Sequence, residues 1–327
     1  MRLLPLVLSV VAMTAMVAPG ADPAFIFVSA IELPRVEGRI DHLAFDAATA
    51  RLYVAALGNN TVEVLDTNAM TRVTSLPGFA EPQGIAVVPD GHLVAVANRR
   101  SGRVQFFDAT SQQPTSSLQP GDDADNLRYD PAAKRVYVGY GNGAIAAIDP
   151  ENGKLLAQAT VHGHPESFQL ERSGARIFVN VPAANQIAVI DRTVMKVIAT
   201  WQVTTAAACF PMALDESTHR LFIGCRRPAN VLVFDTATGK QVSAFEVVGD
   251  TDDLFYDAAR KRLYVIGGEG FLDAIEEPSS NQFVRVAHLP TAAGARTGLF
   301  TPDQSRLYLA VPHRDNQRAE IRVYGVH

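Results

Sequence analysis

The sequence predicts an all-β chain: a seven-bladed β-propeller of four-stranded blades, its ring closed by the N-terminal strand. Three observations carry that expectation. First, Arg51-Leu52-Tyr53-Val54 is restated six times, as His92-Leu93-Val94-Ala95, Arg135-Val136-Tyr137-Val138, Arg176-Ile177-Phe178-Val179, Arg220-Leu221-Phe222-Ile223, Arg262-Leu263-Tyr264-Val265 and Arg306-Leu307-Tyr308-Leu309. Second, from Leu52 to Leu307 these copies step by 41, 43, 41, 44, 42 and 44 residues, the period of a propeller blade. Third, the seventh repeat runs out of chain before an outer strand, while a spare apolar strand stands at residues 25–33, ahead of the first repeat.

Each repeat reads as four strands. In the first, residues 40–45 form the inner strand, 51–56 the second, 61–65 the third and 72–76 the outer, with turn residues between them. Apolar runs with little alternation, such as Ile85-Ala86-Val87-Val88, suit strands covered on both faces by neighbouring blades. The third strand ends on an acid in six repeats, at Asp66, Asp108, Asp149, Asp191, Asp235 and Glu276. Antiparallel pairing should bring Arg51 to Asp66, Arg135 to Asp149, Arg176 to Asp191, Arg220 to Asp235 and Arg262 to Glu276. Such pairs and Asp-initiated turns serve structure, each exposed pair contributing about 0–1 kcal/mol. Pairing residues 25–33 beside residues 320–325 would close the ring and cover two open edges.

The N-terminus bounds the compartment. Met1-Arg2, an apolar run over residues 3–17 and small residues with Pro around Ala18-Pro19-Gly20-Ala21 describe a secretory signal peptide, placed at residues 1–21, ahead of a propeller over 25–327. The run is short for a membrane span of about 20 residues, which leaves an uncleaved anchor as the alternative. Export implies a periplasmic or secreted protein. A hydrophobic share of 47% supports a large core, and a net charge of −5 counts against nucleic acid as a partner.

Two cysteines, Cys209 and Cys225, both fall in the fifth repeat. A hairpin turn near Asp215 brings them opposite one another, which in an exported chain predicts a disulfide; two separate buried thiols are the alternative.

One face of the ring breaks the repeat. Its segments at the inner strands include Asp41-His42, Gln83, Asp125-Asn126, Glu166, Asp252-Asp253 and Arg296, joined by Arg99, Arg226 and His313 from the loops between second and third strands. Seven equivalent positions that differ this much mark the face where a ligand site belongs. Asp41, Asp125, Glu166 and Asp252 converge on one channel, where carboxylates must bind a cation, hold protons, meet arginines or stay hydrated. If they bind an ion, oxygen donors of this kind suit calcium better than zinc. In that reading His42 or His164 would act as general base in a calcium-dependent lactonase or related hydrolase. Arginines mixed with acids otherwise favour a small polar molecule or a protein segment as the bound partner. No nucleophile–base–orienter set and no dinucleotide, phosphate-loop, haem or zinc-helix motif is present, so the residues identify no catalytic group.

The recurring Arg-Leu-Tyr-Val, the Asn-x-Val-x-Val-x-Asp of residues 60–66 and the Thr-x-x-Gly-Lys of residues 236–240 resemble the YVTN-repeat, YncE-like β-propellers. The likeness spans residues 25–327 and implies an exported seven-bladed propeller. It implies no particular activity, because propellers host unrelated tasks. The leading expectation is therefore a binding or interaction protein working through the irregular face.

Overall fold

The second strands explain the architecture. In Arg51–Ala56 every residue after Arg51 is buried, so side chains on both faces of the sheet need cover. Neighbouring blades supply it. The computed structural model describes residues 24–327 and arranges them as seven antiparallel four-stranded sheets around a central channel. The signal peptide expected at residues 1–21 lies outside the described residues.

Blade 1 consists of Leu43–Asp46, Arg51–Ala56, Thr61–Asp66 and Thr71–Leu76, running from the channel outward. The inner strand starts later than residue 40 because Ile40 is buried but its neighbours turn into the channel mouth. Five further blades repeat the order. The seventh takes Thr297–Thr301, Arg306–Val311 and Glu320–Val326 from the C-terminus and Phe25–Glu32 as its outer strand. Phe25 faces Val326 and Glu32 faces Glu320 in that antiparallel pair. The closure expected from the sequence is present.

The core is not one mass but a series of seams between adjacent blades. Tyr53, Val62 and Val64 of blade 1 pack on Val94, Val96 and Phe107 of blade 2, and equivalent clusters fill every other seam. The closing seam holds Phe25, whose ring centroid lies 5.5 Å from that of Tyr264 in blade 6. Burying aromatic area here fastens the chain ends to their neighbours.

The repeated acids behave as turn formers. Asp66 Oδ1 accepts hydrogen bonds from the amides of Asn68 and Ala69 at 2.9 Å, and Asp235 does the same for Ala237 and Thr238. Three of the five expected arginine pairs form: Arg51 with Asp66 at 2.6 Å, Arg220 with Asp235 at 3.1 Å, and Arg262 with Glu276. Arg176 departs from expectation. It stands opposite Asp191 in register, yet its guanidinium pairs with Glu171, the closer acid across the neighbouring hairpin. Asp149 instead accepts from the Glu151 amide and the Asn152 side chain, and no ion pair joins it to Arg135 among the described residues.

Cys209 and Cys225 stand directly opposite each other in blade 5 and are joined by a disulfide. No helix among the described residues is long and apolar enough to cross a membrane.

Candidate functional site

The channel mouth owes its polarity to a break in strand pairing. In blades 2, 3, 5 and 6 the register between inner and second strands shifts at Pro82/Ile85, Ala124/Leu127, Cys209/Met212 and Thr251/Asp253. The residues skipped by the ladder are Gln83-Gly84, Asp125-Asn126, Phe210-Pro211 and Asp252. Such bulges re-aim side chains, and here they deliver an acid, amide or aromatic group to the channel from each blade. Blades 1 and 4 reach the same result with looser pairing. Asp41 N donates to Ala55 O at 2.8 Å, and Glu166 N donates to Asn180 O at 3.0 Å.

These segments form a funnel of about 260 Å³ lined by Arg99, Asp123, His164, Arg226 and Arg296 near its rim. It narrows to a throat of about 20 Å³, room for about one water, walled by Arg39, Asp41, His42, Asn126, Ser167 and Phe210. Gln83, Asp125, Glu166 and Asp252 border both. Gly84 sets the spacing of two blades: a Cβ there would stand 2.1 Å from the backbone oxygen of Asp125.

Of the residues expected at the site, Asp41, His42, Gln83, Arg99, Asp125, Asn126, Glu166, Arg226, Asp252 and Arg296 line the funnel or throat. Asp253 stands behind them, its Oδ1 3.5 Å from His42 Nδ1 and its Oδ2 accepting the Gly298 amide at 2.8 Å. His313 lies apart, 2.8 Å from Glu37 and outside the funnel lining. Its loop between second and third strands carries it past the rim. Arg39, Asp123 and Ser167 join the lining without having been singled out from the sequence. Arg39 falls two residues before Asp41, so strand periodicity offered no sign of where its long side chain would reach.

The four converging acids are not equivalent. Asp41 is buried and lies 2.8 Å from Arg39 Nη2, and Arg39 also reaches Asp252 at 3.3 Å. Asp252 is held at 2.7 Å by Arg226, whose guanidinium sits 4.2 Å above the Phe210 ring. Asp125 and Glu166 sit instead with His164. One ligand atom from each of these three lies within 4.8 Å of the other two, and His164 Nε2 is 3.5 Å from Asp125 Oδ2.

Confinement shows in the proton affinities. Burial pushes Glu166 up to about 7, with Asp125 adding to the shift. Burial also raises Asp252 to about 6 against the pull of Arg39 and Arg226, and it raises Asp41 against Arg39 and His42. For His42, burial opposes the charged form, but Asp253 and Asp41 outweigh it and raise the imidazole to about 10. His164 rises to about 9, burial being overcome by the hydrogen bond to Asp125 and that to the Gly141 carbonyl. Both histidines are therefore cationic at neutral pH in this arrangement. A cationic imidazole is no general base.

Not every polar atom here is satisfied. Oε1 of Gln83 is buried without a hydrogen-bond partner, and the buried Asp41 carboxylate makes no well-aligned hydrogen bond, meeting only Arg39 at 2.8 Å and His42 at 3.5 Å. Gln83 is 7% exposed, and its Nε2 donates to Asp125 Oδ1 at 3.2 Å. Atoms of this kind cost stability unless something in the channel pairs with them.

Comparison with known proteins bears on fold and family. No curated protein matches the chain. Among solved structures, a chain of the Kuenenia stuttgartiensis hydrazine synthase superposes with a TM-score of 0.74 at 16% identity, over 87% of this chain and 97% of that one. A chain of a mitotic checkpoint complex superposes with a TM-score of 0.79 at 15% identity, over 98% of each. At such identities they share the propeller fold alone. A family model described as outer membrane protein assembly factor BamB matches residues 43–207, which runs from the inner strand of blade 1 into the start of blade 5 and is just over half of the 327 residues. The chain belongs to that PQQ_2, BamB-like family of repeat propellers.

Proposed function

We propose that this protein is an exported binding module whose funnel holds a small zwitterionic molecule or a protein segment presenting such a group. One observation carries the reading: Gln83 Oε1 is buried without a partner at the throat of an open funnel, beside Asp41 Oδ1, which has only His42 Nε2 at 3.5 Å while Arg39 holds the other oxygen. A ligand ammonium or hydroxyl supplies the donors those oxygens lack. At the rim Arg99, only loosely met by Glu81 at 3.6 Å and Asp123 at 3.5 Å, offers its guanidinium to an anionic end, while Arg296 is held by Asp250 at 3.1 Å.

Export is supported by the Cys209–Cys225 disulfide and by the family's description. We place the chain among the YVTN-repeat, YncE-like members on the strength of its Arg-Leu-Tyr-Val copies. A mature protein beginning between about residues 18 and 24 in an extracytoplasmic fraction would support the leader peptide.

A calcium-dependent hydrolase is less well supported. Asp41 and Asp252 are engaged by Arg39 and Arg226, and His42 holds its proton at neutral pH. The deciding test is a thermal-shift screen of amino acids, polyols and short peptides against wild type and Asp41→Asn. A stabilising ligand whose effect disappears in the variant supports the reading. Stabilisation that survives Asp41→Asn, or none from any member of the panel, overturns it.

A further inference from the structure

We propose that Asp125, His164 and Glu166 form a site for a divalent transition-metal ion of the zinc class, on the side of the funnel built by blades 3 and 4. The inference deepens the funnel reading by naming one occupant; its three ligand residues are separate from that reading, and the two share only the unpartnered Gln83 Oε1. The acid ring suggested an oxygen-only site, but guanidinium groups hold two of its members, Asp41 and Asp252. What remains is two carboxylates and an imidazole, with ligand atoms mutually within 4.8 Å. A nitrogen donor among carboxylates suits zinc, manganese or iron rather than calcium.

Three features go beyond mere proximity. His164 Nε2 and Asp125 Oδ2 are 3.5 Å apart, long for a charge-assisted hydrogen bond yet close to the edge of a tetrahedron with bonds of about 2.1 Å. The outer contacts are those that orient metal ligands. His164 Nδ1 is 2.7 Å from the Gly141 carbonyl, which keeps a proton on Nδ1, so that an ion displaces the proton on Nε2 beside the carboxylates. Asp125 Oδ1 accepts from Gln83 Nε2 at 3.2 Å, which leaves Oδ2 for an ion. Lastly, Gln83 Oε1 is buried, borders the same funnel and has no partner. An ion-bound water is a donor of the kind it lacks. Three protein ligands leave a position open to the funnel, where an oxygen of a bound molecule completes the coordination.

The test uses the full mature chain, stripped with EDTA and titrated with zinc by calorimetry. One zinc ion should bind per chain, and calcium should bind far more weakly. His164→Ala and Glu166→Gln should each lose saturable zinc binding, whereas Asp303→Asn, at an exposed position on the opposite face, should keep it. Because either site variant could fold poorly, cobalt is added to the wild type as a second readout. Visible bands of four- or five-coordinate cobalt support the site, and an aquo-like spectrum overturns it. Zinc binding that is absent from wild type, or retained in well-folded His164→Ala, overturns it as well. Stabilisation of the EDTA-treated protein by an organic ligand leaves the funnel reading standing if the metal fails.

Discussion

Arg226 Nη2 donates to Asp252 Oδ1 at 2.7 Å, joining the end of the second strand of blade 5 to the inner strand of blade 6. The same guanidinium donates through Nε to the Thr251 carbonyl at 3.0 Å. It thus fixes the bulge that aims Asp252 into the channel. Arg226→Met should cost about 2 kcal/mol at pH 8, where the carboxylate is left short of a partner, and much less near pH 5, where Asp252 takes up a proton. Urea unfolding at the two pH values measures this. An equal loss at both would show that packing rather than charge is responsible.

Acid and alkali should act unequally on the wild type. His42, His164, Glu166 and Asp252 all hold protons more firmly in the folded chain, with values of about 10, 9, 7 and 6. A raised folded value gives stability that is complete below the unfolded value and is lost as pH climbs through the folded one. The carboxyl contribution fades from about pH 4 to 7 and the imidazole contribution from about 6.5 to 10. Below about pH 4 the sign reverses, because acids such as Asp215 are lowered: burial there is outweighed by hydrogen bonds from Ser217 and Thr218. The metal-free protein should therefore resist urea best near pH 5. A midpoint unchanged between pH 5 and 9 would contradict the charge balance described for the throat.

The closing strand carries a separate test. Phe25 is 7% exposed in the seam between blades 6 and 7. Phe25→Ala should cost about 3 kcal/mol by denaturant unfolding, the range for a buried aromatic truncated to alanine. Deleting residues 24–33 should go further and yield oligomers in light scattering, since Glu320–Val326 would become an open edge. A monomeric, fully stable truncation would mean that three strands suffice for the seventh blade.

The disulfide closes a short loop, its cysteines standing at a sequence separation of 16. Replacing both Cys209 and Cys225 by alanine should lower stability by about 3 kcal/mol in the chain-entropy picture and leave the blade in place. Both sulfurs are buried, so the double variant is a cleaner probe than a reductant added to the folded protein.

Strand order was readable because blades are local. Six of the seven are each built from about 42 consecutive residues, so period, turn acids and the seventh blade's missing outer strand all sit in plain sequence order. The ion pairs were less readable: Arg176 could choose between two acids flanking its strand, and side-chain reach decided for Glu171. The mouth residues were legible as a set, since they break the repeat, but not as partners. Asp41, Asp125, Glu166 and Asp252 looked alike until Arg39 and Arg226 took two of them.

By itself the sequence determined a seven-bladed ring, its closure by residues 25–33 and the cysteine pair, because those follow from periodicity and hairpin register between neighbouring segments. Only the tertiary structure decided which charges meet. Arg39 touches Asp252 across 213 residues of sequence, and His164 joins Asp125 from the next blade. Contacts across a channel depend on bulges that turn backbone toward the axis and on the reach of long side chains, neither of which leaves a period to read.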